Sequence, residues 1–200
     1  MMPDTEKTSR THCIRCGTCC MKGGPTLHEE DIILFEKGIL NRTHVYTLRK
    51  GEVVRNIDET LMVLEQEIIK IKGQGEAWAC MFYDDDQGAC KIYQDRPVEC
   101  RALKCWDLER FKEVMQRPYL QRKDLIKPED GILKIIDAHE QRCAYETLAS
   151  AVEGLRGPDS EKAGERILDL LQYDHYIRPF LIKKLGMDPN AMDFFIRQTP

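Results

Sequence analysis

The sequence predicts an α+β fold, a loop- and hairpin-rich front part followed by a helical C-terminal part. Three observations predict it. Eight of the nine cysteines lie within the first 105 residues, with only Cys143 beyond them. Two short aromatic and apolar runs flank the turn-forming stretch Asp84, Asp85, Asp86, Gln87, Gly88, which reads as a β-hairpin over 77–93. From residue 107 onward, apolar residues recur at helical spacing over segments of helical length. The division falls between a cysteine-cluster domain, 1–106, and a helical region packed on it, 107–200.

Each element follows from local chemistry. Residues 1–11 form a polar lead, and the cysteine- and glycine-rich residues 12–24 have the composition of a loop. Thr26 and Glu29 make a T-x-x-E pattern, a capping box before a helix over 28–40 whose apolar residues include Ile32, Ile33, Phe35, Ile39 and Leu40. Alternation of Glu67 and Lys70 with Ile69 and Ile71 predicts a strand over 66–72. Cys80 and Cys90 fall one on each arm of the expected hairpin. Helices are expected over 107–116, 130–153 and 158–186. Gly154, Gly157 and Pro158 mark a break, Pro179 kinks or divides the last long segment, and Gly186 ends it before a short helix from Asp188.

Composition excludes several classes. A net charge of -4, with Lys and Arg scattered among acids, offers no track for a nucleic-acid backbone. No stretch approaches the roughly 18 apolar residues that span a bilayer, and the polar start has no apolar core of a signal peptide. The chain therefore reads as cytoplasmic, with neither membrane nor nucleic acid as partner. In a reducing compartment, clustered cysteines point to metal rather than to disulfides. P-loop, G-x-G-x-x-G and G-x-S-x-G motifs do not occur.

Cys13, Cys16, Cys19 and Cys20 form C-x2-C-x2-C-C, with Gly17 easing the turn. The first three match the opening ligands of a bacterial ferredoxin run, but the fourth follows at once instead of after three residues. Adjacent cysteines are hard to place on one tetrahedral ion, so they serve two metals more readily. With Cys80, Cys90, Cys100 and Cys105 the chain supplies eight thiolates, enough for two four-cysteine sites or for one cluster and one mononuclear site. An iron–sulfur cluster is favoured, and a zinc or iron ion is the alternative. Captured metal contributes on the order of 10 kcal/mol to small domains of this kind, available only to the folded chain. The front part is thus a small metal-stabilised cysteine-cluster domain. Asp84, Asp85 and Asp86 read as a polar turn, His12 as exposed lead, and Trp78, Phe82 and Tyr83 as packing around the metal. Cys143 reads as a buried small hydrophobe, with His139 one helical turn before it.

The order C-x2-C-x2-C-C, then a helix, Cys80, Cys90 in Cys-Lys-Ile-Tyr, Arg96-Pro97 and Cys100-Arg101 resembles the CxxCxxCC (YkgJ-type) cysteine-cluster family, described as zinc- or iron-chelating. The resemblance covers residues 12–105. It implies metal ligation by Cys13, Cys16, Cys19, Cys20, Cys80, Cys90 and Cys100, and it singles out Tyr93, Arg96, Pro97 and Arg101 beside the cofactor. Arg96 and Arg101 are expected to donate hydrogen bonds to thiolate sulfur. Cys105 is an addition of this chain. The expected function is metal binding in electron transfer, metal handling or docking of an unidentified protein partner. The alternatives are a cluster-dependent group-transfer enzyme resembling the flagellin lysine methylases and a structural-zinc interaction module.

Overall fold

The computed structural model describes residues 13–56 and 60–197; the polar lead, His12 included, lies outside them. The architecture is α+β, with short antiparallel strand pairs in front and helices filling the C-terminal half.

The centre of the fold is a pair of apolar strands. β1 (Val45–Leu48) runs antiparallel to another strand of the front half, Ile68–Ile71, with Val45 opposite Ile71 and Leu48 opposite Ile68. Both are rich in β-branched residues and buried on both faces, as a strand between two layers requires. Between them, β2 (Val53–Arg55) and β3 (Leu61–Val63) form a second, exposed pair. Ile68–Ile71 is therefore β4, and it matches the strand expected over 66–72. Leu27, Leu40, Val45, Ile69, Leu120, Leu181, Met192 and Phe194 share one apolar cluster with it. Each such side chain contributes about 1.5–3 kcal/mol on burial. The cluster draws on both halves of the chain.

The hairpin expected over 77–93 is two ladders. β5 (Gly73–Gln74) pairs with β6 (Ala79–Cys80), and β7 (Tyr83–Asp84) pairs with β8 (Ala89–Cys90). Cys80 stands opposite Gly73 and Cys90 opposite Tyr83, so the two cysteines are not arms of one hairpin. A turn at Met81 and Phe82 separates the ladders, and its ends bond outward: Met81 N donates to Lys72 O, and Lys91 N donates to Phe82 O.

The first helix is shorter than expected. A 3-10 turn, Glu29–Asp31, precedes α1 (Ile32–Glu36). The cap lies two residues later than the T-x-x-E pattern suggested, at His28, whose N–H donates to Asp31 Oδ2 at 3.0 Å. Leu34 O accepts from both Ile39 N and Leu40 N, which ends the helix early.

Then follow α2 (Val98–Ala102), α3 (Glu109–Met115), α4 (Arg122–Leu125), α5 (Ile132–Arg142), α6 (Tyr145–Gly154), α7 (Ser160–Leu185) and α8 (Met192–Phe195). The single helix expected over 130–153 is split at Cys143 and Ala144. Arg49, fully buried, donates from its guanidinium to Cys143 O at 2.7 Å, and Ala144 leaves helical geometry with ψ 137°. α7 runs through Pro179 without dividing and stops at Gly186, whose φ of 65° lets its N–H cap Ile182 O. Two buried arginines tie the halves together. Arg122 binds Glu67, Glu140 and Phe195 O, and Arg49 Nε donates to the same Glu140 at 2.7 Å. Among the described residues no helix is long and apolar enough to cross a membrane.

Candidate metal centre

The cysteine loop turns on two left-handed residues, Arg15 (φ 56°) and Gly17 (φ 73°). Arg15 N donates to Cys13 Sγ at 3.4 Å, Met21 N donates to Gly17 O at 2.9 Å, and the 3-10 turn Cys20–Lys22 follows. β6 packs against this turn and brings Cys80 beside it.

Cys100 arrives from α2, whose position is fixed by buried carboxylates. Asp31 Oδ1 accepts from Val98 N at 2.9 Å, at the start of the helix. Glu99 accepts from Thr26 N at 2.8 Å and from His28 Nε2 at 3.3 Å. Lys70, hydrogen-bonded to Thr26 Oγ1, lies close enough to act on both Glu99 and Cys100, although its own burial holds the ammonium below the usual lysine range. Asp31, Glu99 and His28 were not singled out in the sequence. The only local hint is an acid immediately before a cysteine; the partners lie about 70 residues away and carry no shared motif.

The arrangement brings thiols from four segments, the loop 16–20, β6, β8 and α2, within electrostatic reach of one another, while among the described residues no three of them stand within 4.8 Å. Cys19 and Cys20 are hydrogen-bonded to each other: the Cys20 thiol donates, pulling Cys19 down to about 6 against the opposing effect of burial, while Cys20 is pushed up. Burial raises Cys80, and nearby Cys90 and Cys19 raise it further. Burial likewise raises Cys100, with Cys80, Glu99, Cys19 and Cys90 adding to the effect. Cys16 joins through Tyr83, whose phenol lies within electrostatic reach of Cys20, Cys16 and Cys19. No disulfide joins any of these cysteines. Cys13 and Cys105 lie exposed, as do Cys16 and Cys19, and Cys105 falls inside the small bridge between Lys104 and Asp107.

Of the cationic residues, Arg96 faces this group of thiols and lowers Cys19. Its guanidinium also lies 3.6 Å from the ring centre of Tyr93, and that of Arg15 lies 4.2 Å from the same ring, so the aromatic holds two cations at the edge of the thiols. Arg101 does something else. It donates to Arg96 O at 2.7 Å, bracing the backbone that carries Arg96. Trp78, half exposed, packs edge-on to Tyr46 and against Gly73, and Asp84 accepts from Gln87 N in the turn expected of it.

Thiols that repel one another once ionised, gathered with arginine beside them, suit a soft or borderline cation. Residues 12–119 match the profile of the CxxCxxCC family, whose description reads "Putative zinc- or iron-chelating domain". The chain belongs to the CxxCxxCC family. The match takes in every cysteine of that group of thiols and continues through α3 to Tyr119, whose ring lies tilted against that of His28 with centres 4.9 Å apart. No curated protein and no solved structure matches the chain. Within this CxxCxxCC protein, Cys143 stands apart, buried with His139 in the helical half.

Proposed function

We propose that Cys16, Cys19, Cys20, Cys80, Cys90 and Cys100 chelate metal, with Cys13 and Cys105 at the rim completing the donor set, and that the bound group is iron–sulfur serving electron transfer to a protein partner. What supports this is that thiols from the loop 16–20, from two strand ladders and from α2 lie within electrostatic reach of one another. Six clustered thiols exceed the four that one tetrahedral zinc takes, and they suit clusters built on cysteine ligation alone. An iron–sulfur group supplies one-electron chemistry, at a potential that follows the charge and hydrogen bonding around its sulfurs. In this chain Arg96, which lowers Cys19, contributes to that charge. Ile14, Met21, Trp106 and Leu108 are exposed alongside the cysteines and offer an apolar rim for the partner.

Anaerobic purification followed by iron, sulfide and zinc analysis tests the proposal. Iron and sulfide in equal amounts, with visible charge-transfer absorption, are expected. Colourless protein with stoichiometric zinc overturns the iron–sulfur form and leaves chelation standing. Protein that folds with no metal at all overturns chelation.

A further inference from the structure

The helical half holds a second constellation of metal-ligating side chains. His139 and Cys143 sit one turn apart on α5 and at its end, so they share a face, and Asp174 projects from α7 onto the same spot. One donor atom from each lies within 4.8 Å of the other two. All three residues are buried, His139 completely. We propose that His139, Cys143 and Asp174 form a separate zinc(II) site that locks α5 onto α7.

His139 Nε2 already meets Asp174 Oδ1 at 2.7 Å, so two of the three donors stand together. The Cys143 thiol has a distant contact to Leu170 O, at 3.9 Å. A thiolate, a carboxylate and a neutral imidazole carry two negative charges, which one divalent ion cancels in a place where uncompensated charge is costly. Zinc accepts S, N and O donors, and a water completes the tetrahedron that three protein ligands begin.

Without metal the Cys143 thiol stays protonated: burial and Asp174 hold its ionisation up to about 11, against the opposing effect of Arg49 and Arg142. Tyr173 stacks on the His139 ring at 6.2 Å, limiting its rotation. Binding exchanges the Cys143 S–H bond for S–Zn and releases that proton to solvent. Donors of tetrahedral zinc stand about 3.3–3.8 Å apart, so the Nε2···Oδ1 contact opens by roughly half an ångström as the sulfur draws in.

Full-length protein stripped by chelator and reloaded with zinc alone provides the test, by counting zinc per chain in wild type, Cys143→Ser and Asp174→Asn. Loss of one equivalent in each variant is expected, with the zinc held by the front cysteines unchanged. An unchanged count in both variants overturns the site and leaves a buried imidazole–carboxylate pair. Should either variant fail to fold, the cadmium-113 spectrum of wild type decides. A resonance from a mixed S, N and O donor set is expected beside those of thiolate-only sites; thiolate-only resonances overturn the proposal. Failure of chelation by the front cysteines would remove the thiolate-only signals and leave the mixed one, so the two proposals fail separately.

Discussion

The phenol ring of Tyr83 closes directly over Gly17, so that a Cβ at position 17 would overlap the phenol oxygen. Gly17 also has a φ of 73°. Both facts make this glycine the hinge of the cysteine loop: it lets the chain reverse and lets a strand residue from β7 seat against the reversal.

Gly17→Ala is therefore expected to cost about 2–4 kcal/mol, from the left-handed backbone and the forced displacement of Tyr83 together. The loop then no longer presents Cys16 and Cys19 side by side. Thermal melts should fall by several degrees, and metal content after purification should drop. A variant with wild-type melting temperature and full metal would refute the role given to this contact.

Cys19 gives a prediction in pH. In metal-free protein its thiol ionises at about 6, chiefly because the Cys20 thiol donates to it, with Arg96 assisting. Alkylation at Cys19, followed by peptide mass mapping, should have a midpoint near that value, whereas ordinary thiols need a pH of about 8.5. Cys20→Ala should move the midpoint up strongly and Arg96→Gln more modestly. The sign for stability follows. A depressed acid stabilises the fold fully above its ordinary range, and that contribution disappears as pH falls through about 6. A midpoint at 8 or higher for Cys19 would sink this.

Much of this was legible in the sequence, and the exceptions share a cause. The cysteine spacing, the strand at Ile68–Ile71 and the stop at Gly186 are local patterns, and each stands where its residues imply. The break at Cys143 was not legible, because the group that takes the Cys143 carbonyl is Arg49, 94 residues earlier. The ladders of Cys80 and Cys90 were merged because alternation reports strands but not their partners. The carboxylates behind Cys100 escaped notice for the same reason. Glu99 reads as an ordinary helix residue until Thr26 and His28 are seen to meet it.

Glu99 accordingly predicts a structural effect with a metal readout. Its carboxylate is buried and accepts two hydrogen bonds from the segment before α1. Glu99→Ala leaves the Thr26 N–H buried without a partner and loosens α2, at a cost of about 2–4 kcal/mol. Glu99→Gln keeps one acceptor and should cost less than half as much. Metal dissociation, followed with a chromophoric chelator, should quicken by about 10–100-fold in the alanine variant, as for residues that orient ligands. Equal dissociation rates in wild type and Glu99→Ala would show that α2 is held by other means.

The Arg122 network makes the last prediction. Arg122 is buried and bridges Glu67 and Glu140, and Arg49 shares Glu140 from the other side. Burial works to raise the Glu140 carboxyl, but the two guanidiniums win and hold it below the usual carboxylate range. Arg122→Met removes one of them and leaves Glu67 and Glu140 poorly compensated, which costs about 3–5 kcal/mol at pH 7. A depressed carboxyl contributes stability above its unfolded value and loses it as pH falls. In the variant, Glu140 takes up a proton at higher pH than in wild type, which relieves the uncompensated charge. Urea unfolding should show the deficit of Arg122→Met shrinking between pH 7 and pH 4. A deficit that stays constant over that range would mean that the arginine acts through packing of its stem and not through its charge.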